Sequence, residues 1–344
     1  MSGAGAHAAF SQAWPAFALV GGLLLIGATA AREGLFAAAG AAVARAPGGA
    51  VVLLAGLLLT EAAITAVLNL DTAVVFMTPV LLHAARQRGV PEDAFLYGAV
   101  FMANSASLLL PGSNLTNLIV LAHDPVSGVT FAERLVGAWA ISVGITILFV
   151  ACVFRRGLTG ATSPRAGEAA RLRPGLGTFG VVAATVLVLA LSRPALPILA
   201  LGVAVAFGAR LGLRPSLRAA NPALLLGVLG LAILLGTAAR GIDLRVLEHA
   251  GRWETAWVAA GASVLVNNLP AAVVLSWHVP AHPRALLLGL DLGPNLAVTG
   301  SLSAVLWLQV ARAAGARPSV VRYTLLGLAL VPVTLVAALL ITSV

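Results

Sequence analysis

The chain has 344 residues, 60% hydrophobic and 10% charged, with a mean hydropathy of +1.01. A soluble domain cannot hide that much apolar surface, and the continuous Leu/Ala/Val/Gly runs are unlike the short alternating strands of a β-barrel. The formal net charge of +9 comes from 21 arginines and no lysine, set in loops between apolar runs, where they orient a membrane protein rather than bind nucleic acid. The single cysteine, Cys152, supports neither a disulfide framework nor a thiolate cluster, and reads as a small buried hydrophobe.

In chain order, residues 15–31 form the first spanning helix, with no basic n-region or cleavage site ahead of it. Residues 34–46 are too short to span and read as an interfacial helix. Residues 50–84 are too long for one span and carry Asn69-Leu70-Asp71-Thr72 in the middle. A long helix with a polar patch competes with a re-entrant hairpin tipped at 69–72, and the lengths favour the hairpin. Residues 94–121 hold Asn104, Ser105 and Ser107 and then Pro111-Gly112-Ser113-Asn114-Leu115-Thr116-Asn117, a broken helix. Residues 132–154 span again, and 157–175 form a long polar linker. Spans follow at 177–192, 196–212 and 222–239, then a second interfacial segment at 241–252. Residues 256–279 contain Asn267-Asn268-Leu269-Pro270, a second hairpin tip. Residues 285–311 contain Asp291, Gly293-Pro294, Asn295, Thr299, Ser301 and Ser303, a second broken helix, and 323–343 form the last span. Histidines 83, 123, 278 and 282 fall near segment ends, at the expected interface.

The halves repeat in order: an apolar run opened by Pro15 or Pro222, an interfacial segment, a hairpin and a broken helix. This predicts an all-α polytopic membrane protein of two inverted repeats, residues 1–156 and 176–344, each with a re-entrant hairpin (about 50–85 and 256–279) and a broken transmembrane helix (94–121 and 285–311). With eight spans and both termini outside, fifteen arginines fall inside and six outside, which matches the positive-inside rule at the cell membrane. Inverted repeats with discontinuous helices are the architecture of secondary transporters. An intramembrane enzyme would need a catalytic pair or metal motif at membrane depth, and the sequence offers no H-E-x-x-H, no P-loop and no serine with a histidine partner.

Asp291-Leu292-Gly293-Pro294 with Gly300-Ser301-Leu302 and Trp307 resembles the second broken helix of the arsenite/antimonite efflux permease family. Asn267–Pro270 resembles that family's second tip, and Asn104–Ser107 with Ser113–Asn117 its first broken helix. That family belongs to an ion-transporter superfamily that also holds dicarboxylate, citrate and sodium/proton carriers. Asn295 stands where many arsenite permeases carry Lys, Ala297 and Val298 replace Thr-Pro, and the first tip reads Asn-Leu-Asp rather than Asn-Asp. Family members usually carry further helices ahead of the point where this chain starts, which raises the question of a homodimer. Some also work with a separate ATPase subunit, of which this sequence carries no sign.

The resemblance implies a multi-pass carrier that moves a small molecule or ion across a lipid bilayer without a cofactor, a metal or a catalytic residue. Arsenite is mostly uncharged As(OH)₃ at neutral pH, which suits groups that both donate and accept hydrogen bonds. Asn69, Asn104, Ser113, Asn114, Thr116, Asn117, Asn267, Asn268, Gly293, Asn295, Thr299 and Ser301 are the expected substrate-binding positions. An anion would instead be drawn to helix N-terminal ends at the breaks, and the sequence does not choose between the two. Intramembrane carboxylates are costly and mark ion pathways. Asp291, Asp71 and Glu61 are therefore the ion-coupling candidates, with proton-coupled efflux resting chiefly on Asp291.

Overall fold

The computed structural model describes residues 3–45, 47–122, 126–159, 174–220, 222–239, 249–277 and 280–342. Most of the expected linker, with Arg165, Arg171 and Arg173, and most of the second interfacial segment lie outside the described residues, as do Arg240, Arg245, His123 and His278. Every regular element among the described residues is helical. Among the described residues, four helices are long and apolar enough to cross a membrane: α1 (Gly3–Arg32, spanning from Gly5), α3 (Ala50–Val67), α7 (Gly128–Val153) and α17 (Val320–Ile341). Two of the eight expected spans are shorter than their apolar runs, α9 (Leu176–Ala190) and α10 (Ala195–Gly208), while α12 (Pro222–Ala239) keeps its expected range. Pro15 does not open α1 but lies inside it, because the Ala-rich residues before it continue the helix. A proline within a membrane helix is tolerated where neighbouring groups take up the freed carbonyl.

The polar clusters fall at helix interruptions. Helix α3 stops at Val67 and α4 (Leu70–Arg88) restarts after the extended Asn69, so residues 50–88 are two helices rather than one. Helix α5 (Asp93–Ser105) gives way to a 3₁₀ turn at Pro111–Ser113 and then to α6 (Leu115–Val120). Beyond the short α8 (Arg155–Leu158) and α11 (Leu213–Ala220), α13 (Arg252–Val266) meets α14 (Asn268–Leu275) at Asn267. Helix α15 (Pro283–Leu292) dissolves into 3₁₀ turns at Gly293–Leu296 and Val298–Gly300 before α16 (Leu302–Ala313). Pro111 and Pro294 lack the N–H that a continuous helix needs and each has a glycine beside it, which favours an interruption; proline alone does not set it, since Pro15, Pro79 and Pro332 lie inside unbroken helices. Helix α2 (Leu35–Arg45), the expected interfacial helix, buries Phe36 and Gly40 and packs on α4, where Phe36 stacks on Phe76 at 5.1 Å.

Helix α1 packs against α9, α10 and α12, while α4 packs on α5 and α16. The loops sort into two ends, which α1 joins. At the Arg32 end, the Arg32 guanidinium donates to the carbonyls of Ala209 and Arg210, and Arg88 donates to those of Ala44 and Gly48. The Arg86–Glu92 and Arg322–Asp93 pairs, both at 2.6 Å, close the neighbouring turns. At the Ser11 end, Gln12 Nε2 donates to Ser276 Oγ at 3.0 Å. A largely apolar cavity of about 540 Å³ there is walled by Trp14, Pro111, Leu121 and the 191–197 turn. The outer surface carries large apolar side chains, Phe179, Leu148, Leu325 and Phe207 among them, with Phe207 86% exposed. Such a surface is a liability in water and suits lipid. Cys152 is exposed rather than buried, one turn from Leu148 on that outer face of α7, so its apolar character serves the surface and not the core.

Candidate functional site

Each helix restart is capped by the polar residue that immediately precedes it. Asn69 Oδ1 accepts from Thr72 N at 2.6 Å, Asn114 Oδ1 from Thr116 N at 3.2 Å, Asn267 Oδ1 from Leu269 N at 3.3 Å and Ser301 Oγ from Ala304 N at 3.2 Å. Asn and Ser serve here because their short side chains can fold back onto the orphan N–H groups of a first turn. The capped starts of α4, α6, α14 and α16 then converge on one cavity of about 10 Å³, lined by Asp71, Asn114, Asn268, Ser301, Ser303 and four leucines. That volume admits about one water molecule, so the site is closed in this conformation.

Asp291 stands behind the cavity and joins the two halves of the chain. It is fully buried, and its Oδ1 accepts from Asn114 Nδ2 at 2.9 Å and from Thr116 Oγ1 at 2.5 Å. Asn114 thus caps α6 with one end of its amide and holds Asp291 with the other. Asp291 Oδ2 has no partner among the described residues, and neither does Asp71 Oδ1 at the first tip. A second bridge lies beside this one. Asn104 Nδ2 donates to Asn295 Oδ1 at 2.8 Å, Ser303 Oγ donates to Asn104 Oδ1 at 3.2 Å, and Asn295 Nδ2 reaches Phe101 O at 3.2 Å. The Asn295 backbone lies against α17: a Cβ on Gly327 would run into its carbonyl, so only glycine fits there. Tyr323 Oη donates to the Pro294 carbonyl at 3.0 Å, and Trp307 Nε1 donates to Leu96 O at 2.8 Å from a fully buried ring.

The expected positions thus divide. Asp71, Asn114, Asn268 and Ser301 meet at the cavity; Asp291 and Thr116 back it, and Asn104 and Asn295 flank it. Asn69 caps α4 and leaves its Nδ2 buried and unpartnered among the described residues. Ser113 and Asn117 turn into the first break, where both donate to the Ser107 carbonyl. Gly293 packs against Ala260. Thr299 is exposed and donates to Val264 O at 3.1 Å, away from the cavity, while Asn267 is spent on its cap and on the Thr299 carbonyl at 3.1 Å. Glu61 lies within α3, buried and apart from the cavity lining. Ser303 belongs to the site although it was not among the expected positions; its place two residues after the Ser301 cap is the signal that could have found it.

Interrupted helices whose capped ends converge at mid-depth, with a buried carboxylate between them, define a membrane transporter, since irregular backbone at that depth is stable only where it is enclosed by protein or lines a cavity. Residues 3–298 match the CitMHS citrate-transporter family, and the chain belongs to that family. It is 25% identical over 292 residues to an arsenical pump membrane protein of Escherichia coli, covering 74% of this chain and 68% of that one. It is 26% identical over 151 residues to the silicon efflux transporter LSI3 of Oryza sativa subsp. japonica, covering 44% and 31% of the two chains. The crystal structure of the YdaH transporter of Alcanivorax borkumensis has the same fold at a TM-score of 0.61 and 15% identity, over 98% of this chain and 86% of that one.

Proposed function

We propose that this multi-pass membrane protein is a secondary active transporter that exports arsenite or antimonite across the cell membrane in exchange for protons. The observation that carries the reading is the cavity where Asp71, Asn114, Asn268 and Ser301 meet, backed by Asp291. Amides and hydroxyls suit an uncharged hydroxide such as As(OH)₃, and the Asp71 carboxylate disfavours an anion beside it. The relatives named for arsenical and silicon export support the same class of cargo, since silicic acid is also a neutral polyhydroxide. Asp291 is the coupling group: Asn114 and Thr116 hold one oxygen and leave the other for a proton.

The repeats at 1–156 and 176–344 are inverted in this reading. The opposite running directions of α1, which leaves the Ser11 end, and α12, which starts beyond Arg210 at the Arg32 end, support it. The Arg32 end faces the cytoplasm and both termini lie outside, on the arginine count. The test is expression in an arsenite-sensitive host. Restored resistance supports the reading. Sensitivity unchanged by a correctly inserted protein contradicts it. A second reading is a sodium- or proton-coupled carrier of a dicarboxylate- or citrate-like anion, favoured by the four helix starts that converge on the cavity. It predicts anion uptake without resistance.

A further inference from the structure

An arginine pocket stands apart from the transport cavity. The start of α5, the end of α7, α8 and the start of α17 enclose a cavity of about 240 Å³, with Pro91, Asp93, Phe154, Arg156, Leu158 and Arg322 on its walls. Arg322 is held in place there. Its guanidinium carbon lies 4.9 Å from the centre of the Phe154 ring and 5.4 Å from that of Tyr97, and its Nη1 donates to Asp93 Oδ2 at 2.6 Å. Glu92, next to Asp93, is taken by Arg86 at 2.6 Å. Arg156 is exposed and has no acidic partner among the described residues. With Asp93 matched to Arg322, the wall keeps a positive charge that nothing balances. Beneath the pocket the side chains turn apolar and face outward: Leu325 on α17, one turn below Arg322, and Val153 and Leu148 on α7, which packs against α17, are all exposed.

We propose that this pocket binds the headgroup of an anionic glycerophospholipid, with the phosphate at Arg156 and Arg322 and an acyl chain along Leu325, Val153 and Leu148. Charge complementarity selects the ligand: a guanidinium fork matches the oxygens of a phosphodiester, and a headgroup of net charge −1 balances the surplus that a zwitterionic one leaves. The exposed apolar side chains directly below give the chain of the same molecule its path, as basic pockets between membrane helices do for other anionic lipids. The linker that leaves α8 carries Arg165, Arg171 and Arg173 against Glu168, so its own charge disfavours it as the occupant. From Arg322 a column of rings runs inward. Tyr97 lies 5.7 Å from Trp307 and Trp307 5.6 Å from Tyr323, whose Oη donates to the Pro294 carbonyl. A headgroup on Arg322 is therefore tied by packed rings to the second break.

The experiment is thermal unfolding of the purified full chain in detergent at fixed salt, titrated with phosphatidylglycerol, phosphatidylcholine or inorganic phosphate. Phosphatidylglycerol raises the wild-type melting temperature, and the other two at the same concentration raise it less. Arg156→Gln and Arg322→Gln each weaken the apparent phosphatidylglycerol affinity by about fivefold, while Arg214→Gln, an exposed arginine outside the pocket, leaves it unchanged. Arg322→Gln also breaks the Asp93 pair, so Arg156→Gln decides the matter if that variant fails to fold. Equal shifts with the two lipids overturn the proposal, as does an undiminished response in Arg156→Gln. An equal loss in Arg214→Gln reduces the effect to general attraction by a basic face and overturns it, and an equal shift with inorganic phosphate replaces the lipid by a free anion. A wild type that responds to no lipid, the result if the linker or a second copy covers the pocket, overturns it too. The assay contains no transported substrate, so its outcome is independent of the export reading.

Discussion

Asn114 serves twice at the site, because its amide caps α6 and grips Asp291 at once. Thr116 supplies the other donor to the same oxygen. Thr116→Val keeps the side-chain shape and removes that donor, and it should cost about 1–3 kcal/mol of stability, read as a lower unfolding temperature in detergent. Asn104→Leu leaves Asn295 and Ser303 without their shared partner. It should destabilise by a similar amount, about 1–3 kcal/mol, and slow transport, since the bridge ties the two breaks together. Glu33 offers a pH test outside the membrane segments. Partial burial pushes its pKa up, but the Gly177 and Thr178 N–H groups at 2.8 Å, with the Thr178 hydroxyl, outweigh burial and hold it below the usual 4.5. A carboxylate with a depressed pKa contributes its stability above the unfolded value and loses it as pH falls through the folded one. Unfolding temperature should therefore fall below about pH 4.5 in the wild type, and this part of the fall should be absent in Glu33→Ala.

At the scale of elements, the interruptions were legible because they are written in proline, glycine and asparagine. Pro111-Gly112 and Gly293-Pro294 pair a missing N–H with a flexible backbone and disfavour a continuing helix, and Asn69, Asn114, Asn267 and Ser301 are residues that begin one. The partners were not legible. That Asn104 meets Asn295 and that Asp291 meets Thr116 follows from packing between residues more than 170 positions apart. Thr299 misled for the same reason: its residue type suits a binding site, but a 3₁₀ turn aims it at Val264. Asn267 adopts φ 73° and ψ 148°, a region that costs a non-glycine residue about 1–3 kcal/mol. That strain persists because the side chain both caps α14 and holds the Thr299 carbonyl. Gly327→Ala should push α17 off the Asn295 carbonyl and cost about 1–3 kcal/mol, again read by thermal unfolding.

For the whole molecule, composition alone was enough to place the chain in a membrane, and helix lengths then proved less regular than the apolar runs suggested. Helices α9 and α10, at 15 and 14 residues, are short for a span of about 20. Both pack against α1, which takes part of the place that lipid would otherwise fill. The two polar ends make the topology testable. A cysteine at Ser192 and one at Arg317, each in a Cys152→Ser background, should be labelled by an impermeant thiol reagent from opposite faces of right-side-out vesicles. The central claim, that Asp291 couples proton flow to export of a neutral hydroxide, is tested most directly in proteoliposomes. With an imposed pH gradient, the wild type should accumulate arsenite against its concentration and dissipate when the gradient collapses, while Asp291→Asn should only equilibrate it. Accumulation by Asp291→Asn at the wild-type level would contradict the account.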